Sequence, residues 1–310
     1  MSTSSSIKLI QTLEWGKKFI FQRQSVIGNY LEPAISSANT ILQTILGAPF
    51  SWRWNRVITG FICTIGQQDY TIFNWKAATT VTIGYVLVDS NGNSQAVTTA
   101  GTTGSTIPSF SNTTGNTTTD GTAVWTNNGK IGIGVSSLAQ TYGFGWTETA
   151  SVKITNANTG QLEWKEISSE LCLALESAQS RPSKIAAQID SGDGNITFRL
   201  MPVPDKAYPV SITIQQKPPL FTGTQQTWSP IPDEYSHIYN WGLLSLLFLF
   251  ADDPRFQMAN QKFVAHLLSA NQGLTETQIN IWLSRWQQVT GQQMTNPSTI
   301  QQGFTGRQAQ

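Results

Sequence analysis

Two kinds of hydrophobic periodicity divide this chain, and their order limits the fold more than any other feature does. At both ends, apolar residues recur every three to four positions, which is typical of amphipathic helices. Between the ends, bulky and polar residues alternate over short runs, which is typical of half-buried strands. Helices and strands that are separated along a chain indicate an α+β fold. We therefore predict a helical bundle built from both chain ends, a central antiparallel β domain and a small inserted all-β module.

Helix start and stop signals support the terminal part of this prediction. Prolines and acids mark three helix starts, at Pro33, Pro232 and Asp253-Pro254. Thr275 and Gln278 have the spacing of a capping box for a last helix, which Gly291 can end. The apolar run from Trp241 to Ala251 is too short to cross a membrane and predicts a buried helix. The bundle is assigned to residues 1–50 and 230–290.

Strand patterns fill the central part of the chain. Residues 52–57 alternate and predict a half-buried strand, and residues 61–65 and 70–73 predict a hairpin around the turn at Gly66. Three further strands are predicted at residues 183–189, 196–201 and 210–214. Residues 171–177 predict one short helix. The β domain is assigned to residues 51–78 and 131–220.

A threonine-rich segment interrupts the β domain. Val97 to Asn128 contains 12 threonines and one charged residue, Asp120. Branching at Cβ favours extended backbone, and the Asn91-Gly92 and Asp120-Gly121 pairs are hairpin turn signals. We predict an inserted β module over residues 79–130. The last segment, residues 291–310, is rich in glutamine and is predicted to be an extended tail.

The charge composition excludes several classes of protein. Only 12% of the 310 residues are charged, against roughly 25% in an average soluble protein. The 19 basic and 18 acidic residues nearly cancel, so the basic surplus of a free-standing nucleic-acid binder is absent. Eleven tryptophans and fourteen phenylalanines also argue against a disordered chain.

No arrangement of residues in the sequence predicts a catalytic, metal or cofactor site. His237 and His266 lack partners at zinc-ligand spacing, and Cys63 and Cys172 are interpreted as buried hydrophobes. The carboxylates of residues 252 and 253 straddle a helix break, where capping explains them. No nucleophile elbow or phosphate-binding loop is present in the sequence. We therefore predict a protein that is not an enzyme and takes no cofactor.

Several tryptophans lie outside the predicted helices and allow two interpretations. Tryptophan is enriched in interface cores, where most charged residues are depleted. Trp52, Trp54 and Trp228 are therefore candidate contacts with another subunit or with a tail protein. The alternative, which composition supports equally, is that these rings fill the chain's own core.

A series of short motifs outside the module resembles head-to-tail adaptor proteins of tailed bacteriophages, including the tail tubular protein A group of podoviruses. These motifs are Ala48–Asn55 after a helix with Asn39, Gly66–Tyr70, Arg181-Pro182, Pro202–Asp205, Tyr208–Val210, Lys217–Pro219, Ile231–Tyr235 and Ala251–Arg255. The module resembles a small β module of phage structural proteins. Its motifs are Pro108–Phe110, Gly115, Thr118–Thr122 and Val124–Gly129.

The resemblance implies a structural protein of the virion neck, made in the bacterial host cytoplasm and not bound to a membrane. It implies a ring of about twelve copies that joins the portal protein to a tail or nozzle protein. Viral DNA would pass through this ring without sequence-specific binding. The tail would dock on the portal, and its candidate contact residues are Met294, Ile300, Phe304 and Arg307.

Two other functions remain open from the sequence. The threonine-rich module would also suit a receptor- or carbohydrate-binding tail component carried by a helical anchor. A cell-wall hydrolase is the third alternative, although no acid–base pair or nucleophile constellation supports it.

Overall fold

The computed structural model describes residues 5–19, 33–132, 142–170, 174, 178–190 and 195–291. The chain divides into two compact units. The helical unit combines residues 1–55 with residues 220–310, and the sheet unit spans residues 56–219. The fold is mixed α+β, as the separated periodicities predict.

The described helices all lie in the helical unit. They are α1 (Leu9–Lys17), α2 (Ala34–Leu46), α3 (Ser236–Phe250), α4 (Phe256–Ser269) and α5 (Glu276–Thr290). Short 3-10 turns at Arg53–Asn55 and Asp233–Tyr235 precede the first strand and α3. The apolar core of the unit takes side chains from all five helices, and α3 packs against α2 and α4.

Local sequence signals account for the ends of these helices. The Thr275 hydroxyl accepts the Gln278 N–H, and the Gln278 side chain accepts the Thr275 N–H. This confirms the predicted capping box at the start of α5. Gly291 ends α5 in the left-handed region, with φ of 66°.

Helix α3 is the centre of the helical unit's core. Its residues from Leu243 to Phe248 are all buried, which confirms the predicted buried helix. Gly242 permits the closest contact, since a methyl group there would lie 2.9 Å from the Phe263 ring and 3.0 Å from Ile41.

Fifteen strands are described in the sheet unit. They are β1 (Arg56–Ile62), β2 (Asp69–Ile72), β3 (Thr80–Val81), β4 (Tyr85–Val88), β5 (Asn93–Thr99), β6 (Gly101–Thr102), β7 (Thr117–Asp120), β8 (Ala123–Lys130), β9 (Gly143–Thr155), β10 (Leu162–Ser169), β11 (Gln179–Ser180), β12 (Lys184–Asp190), β13 (Ile196–Met201), β14 (Val203–Pro204) and β15 (Pro209–Lys217). Eleven of them form one sheet in the order β1-β15-β9-β10-β12-β13-β2-β4-β5-β8-β7.

The sheet is mixed, and this corrects the prediction of an antiparallel domain. Strand β10 pairs with β12 in parallel, and β2 pairs with β4 in parallel, whereas the other neighbours in the large sheet are antiparallel. Strand β1 also lies against β4 and β5, where the Ile62 N–H donates to the Ser94 hydroxyl at 3.0 Å. The sheet therefore curls around one apolar core drawn from most of its strands.

Two local predictions near the start of the sheet unit are wrong. Residues 53–55 form a 3-10 turn, and the strand begins only at Arg56. The predicted hairpin between residues 61–65 and 70–73 does not form, because β1 pairs with β15 and β2 pairs with β13 and β4. Strand β1 pairs with β15 and strand β2 pairs with β13, and both partners lie far along the chain.

The strands of the predicted module, β3 to β8, are all in residues 79–130, and four of them extend the large sheet. The turns at Asn91-Gly92 and Asp120-Gly121 join β4 to β5 and β7 to β8, as predicted. A separate apolar cluster lies here, centred on Trp125, Phe110 and Phe73. The helix predicted at residues 171–177 lies, apart from Ala174, outside the described residues.

Candidate interaction surfaces

The three tryptophans predicted as interface residues lie in or against the core of the helical unit. Trp52 and Trp228 are buried, and their indole N–H groups donate to the Ile45 carbonyl and the Thr12 hydroxyl. Trp228 stacks on Tyr239 with 4.3 Å between ring centroids. These contacts favour core packing for the two rings.

Trp54 differs from the other two tryptophans because it is only half-buried. It packs against Trp52 and Tyr235, with ring centroids 5.2 and 5.9 Å away. Two residues before Tyr235, Asp233 accepts hydrogen bonds from the Ser5 and Ser6 hydroxyls and so fixes the start of the described chain. These bonds lower the pKa of the Asp233 carboxyl.

The Gly66–Tyr70 motif has a structural explanation inside the sheet unit. The Tyr70 hydroxyl accepts the Thr64 N–H and lies 2.9 Å from the Gln67 carbonyl, so it ties down the turn between β1 and β2. Asp69 forms a two-pronged ion pair with Arg199 at 2.8 Å. Beside the turn, burial raises the pKa of the Cys63 thiol to about 11, which keeps it protonated and unreactive.

The module's two acidic residues are both buried and fully used as hydrogen-bond acceptors. Asp120 accepts the indole N–H groups of Trp75 and Trp125 and the backbone N–H of Gly104. Asp89 accepts bonds from Asn93 and Gln95. Asp120 and Trp125, the central residues of the Asp-Gly and Val-Trp motifs, therefore belong to the interior of the module.

The two histidines form a pair that the sequence analysis did not predict. His237 near the start of α3 and His266 near the end of α4 meet edge to face, with 4.9 Å between ring centroids. Within the described ranges, no cluster of three or more His, Cys, Asp or Glu side chains could hold a metal ion. Asp253 accepts the backbone N–H of Arg255 just before α4, whose own N-cap, Arg255, has no side-chain cap bond. A local turn at Asp253 therefore takes the place of the predicted cap.

One open groove lies at the corner between α3 and α4. It has a volume of about 310 Å³, and we call it the corner groove; it is lined by Phe248, Leu249, Asp252, Asp253, Pro254, Phe256 and Gln257. The end of α3 is a Schellman motif, in which the Asp253 N–H donates to the Phe248 carbonyl at 2.9 Å. Asp252 occupies its left-handed position, with φ of 51°, where glycine is the usual residue.

Helix α5 presents a second surface. It buries one narrow face through Trp282, Leu283 and Trp286. Ile281, Arg285 and Val289 follow one another at intervals of four residues along its exposed side, and we call them the α5 stripe. Neither the stripe nor the corner groove was predicted, because exposure of an apolar residue depends on which helix face the core uses.

Several predicted features lie beyond what the structure describes. Met294, Ile300, Phe304 and Arg307 are outside the described residues. No described helix has the length and apolar content required to cross a membrane.

Comparison with known proteins identifies the family of this chain. Residues 40–293, most of both units, match the model of a family described as SU10 adaptor protein. A search of curated proteins finds no match. The matched range contains the sheet, the module, the corner groove, the second half of α2 and all of α3 to α5. The chain therefore belongs to the SU10 adaptor protein family and is a structural adaptor of a bacteriophage virion.

Proposed function

We propose that this adaptor forms a ring in the virion neck and joins the portal to the tail or nozzle protein. The observation that carries the proposal is the family match over residues 40–293. Closed rings of identical subunits are a common way to join two coaxial assemblies, and about twelve copies are expected here. The motif series supports a place near the tail tubular protein A group of podoviruses.

In this proposal, helices from both chain ends act as one bundle. The support is the single apolar core that α1 and α2 share with α3 to α5. Viral DNA passes through the ring without sequence-specific binding. The 19 basic residues are balanced by 18 acidic ones, so the phosphate backbone would meet no large excess of positive charge.

The tail after Gly291 is proposed to dock on the portal through Met294, Ile300, Phe304 and Arg307. Burial of Ile300 and Phe304 in a largely polar segment would offset the cost of ordering it. Trp54 is proposed as a contact with a neighbouring subunit or tail protein. Trp52 and Trp228, which are buried, would stabilise the core around Trp54.

Two variants of the full-length protein test the docking of the tail. Replacement of Ile300 and Phe304 by serine is expected to weaken binding to the purified portal at least about tenfold, because the apolar anchors are lost. Replacement of Gln301 and Gln302 by alanine is the matched control and should leave binding unchanged. Equal binding by both variants would refute the docking proposal.

Electron microscopy of the virion tests the location of the protein. An antibody or gold label on the module is expected at the junction of capsid and tail. A label found only on distal fibres would refute the neck assignment and favour the receptor-binding alternative. The packing of the module argues against a carbohydrate-binding platform of exposed rings, because its Phe110 and Trp125 are buried in one cluster with Phe73, which precedes the module.

A further inference from the structure

The corner groove combines one acid that is unpaired among the described residues, Asp252, with exposed apolar side chains on the two helices that form it. Phe250 follows the lining residue Leu249 in α3 and is 57% exposed, and Met258 follows the lining residue Gln257 in α4 and is 46% exposed. Exposed apolar side chains that gather into a patch often mark a surface that another protein covers.

The two carboxylates of the groove differ in their bonding. Asp253 binds the Arg255 guanidinium at 2.7 and 2.9 Å, and that guanidinium also covers the Phe248 ring. The Asp252 carboxylate forms no hydrogen bond or ion pair with any described residue, and it is exposed. The groove therefore offers apolar surface and one unused negative charge.

The α5 stripe has the complementary chemistry. Ile281 and Val289 are 50% and 53% exposed, and Arg285 lies between them. The Arg285 guanidinium has no hydrogen bond or ion pair with any residue in the described part of the chain. Lys17 and Lys262 of the helical unit are engaged, with Glu14 and with the Trp241 ring, whereas Arg285 and Lys18 have no partner among the described residues. Of these two cations, only Arg285 lies between exposed apolar side chains.

We propose that the corner groove of one subunit receives the α5 stripe of a second copy of this chain. Arg285 of one copy would pair with Asp252 of the next, and Ile281 and Val289 would cover Phe250 and Met258. Because the two surfaces are different patches on one molecule, each copy can bind a neighbour on both sides, and such contacts close into rings. This inference rests on the proposed ring and assigns its subunit contact.

The left-handed conformation of Asp252 allows folding and assembly to be separated. Glycine adopts that conformation without strain, so Asp252→Gly should keep or raise the thermal midpoint of the subunit. The same change removes the carboxylate and should weaken assembly several-fold. Loss of folding therefore cannot account for a loss of assembly in this variant.

Charge reversal tests the pairing directly. Asp252→Arg and Arg285→Asp are each expected to weaken self-association at least about tenfold, since each places like charges together at every contact. The double variant should assemble, and an equal mixture of the two single variants should co-assemble. Lys18→Asp and Glu166→Arg, which reverse exposed charges outside both patches, are the controls and should assemble normally.

Mass photometry of these proteins, alone and with the portal, separates the outcomes. If the wild type assembles and the single variants assemble equally well, the groove assignment is wrong and the ring proposal stands. A double variant or mixture that stays dissociated would also overturn the pairing. If the wild type remains monomeric both alone and with the portal, the ring and its contact fail together.

Discussion

The helical unit and the module hold their tryptophans in different ways. In the helical unit, buried indole N–H groups donate to neutral acceptors, such as the Thr12 hydroxyl for Trp228 and the Asn260 side chain for Trp286. In the module, the indole of Trp125 shares one buried carboxylate, Asp120, with the indole of Trp75, which lies just before the module in the sequence. The first core depends mainly on apolar packing, whereas the second depends on a polar centre whose donors and acceptor must all be present.

The helical unit and the module each need few charged residues, but for different reasons. The helical unit buries large aromatic and aliphatic side chains and needs few charged groups inside. The module has only two acidic residues, Asp89 and Asp120, and uses both as internal acceptors. A low fraction of charged residues therefore does not mean that electrostatics are unimportant for the fold.

The largest effect is expected in the apolar core of the helical unit. Trp228→Ala removes a buried ring stacked on Tyr239 and should lower the free energy of unfolding by about 3–5 kcal/mol. Urea denaturation followed by circular dichroism measures this change. Trp228→Phe keeps an aromatic ring and should cost clearly less. A loss below about 1 kcal/mol for the alanine variant would mean that the ring is not part of a tight core.

A smaller but more specific effect is expected at the polar centre of the module. Asp120→Asn keeps the size of the side chain but turns one acceptor oxygen into a donor that faces buried N–H groups. The free energy of unfolding should fall by about 1–3 kcal/mol, and amide exchange should rise in β7 and β8. Glu166→Gln, the same change at an exposed acid of the sheet unit, should alter stability by less than about 0.5 kcal/mol. Equal effects of the two variants would contradict a structural role for the Asp120 carboxylate.

The smallest effect is a response to acid in the helical unit. Burial, His237 and Lys262 all lower the pKa of His266 in the folded protein. Its neutral form is therefore favoured by folding, so the stabilisation is complete above the ordinary histidine pKa and is lost as the pH falls below it. Amide exchange in α3 and α4, corrected for intrinsic rates, should increase between pH 7.5 and 5.5.

The His266→Gln variant provides the control for this pH response. Its exchange in α3 and α4 should depend less on pH than that of the wild type. The module contains no histidine, so its peptides should not respond over this interval in either protein. A wild-type response confined to the module would contradict the assignment.

The helices were predictable because their signals are local. Pro33, Thr275 with Gln278, and Gly291 each act within one turn of the helix that they begin or end. The Asn91-Gly92 turn is local in the same sense, and the hairpin that it joins was also predicted. The helix ends and this turn can therefore be predicted from a few neighbouring residues.

The pairing of the sheet could not be read in the same way. Strand β1 pairs with β15, so Val57 lies opposite Ile214, and nothing near Val57 in the sequence specifies that partner. The predicted hairpin with β2 failed for this reason. The corner groove could not be predicted either, because exposure of Phe250 and Asp252 depends on how the chain turns between α3 and α4.

The internal position of Asp89 and Asp120 has a consequence for the exterior of the module. Lys130, at its last residue, is the one charge among residues 79–130 that is exposed, so the outer face presents hydroxyl, amide and aliphatic groups. Debye screening acts on charges and leaves contacts between such groups nearly unchanged. The affinity of a contact made through this face should therefore depend little on ionic strength.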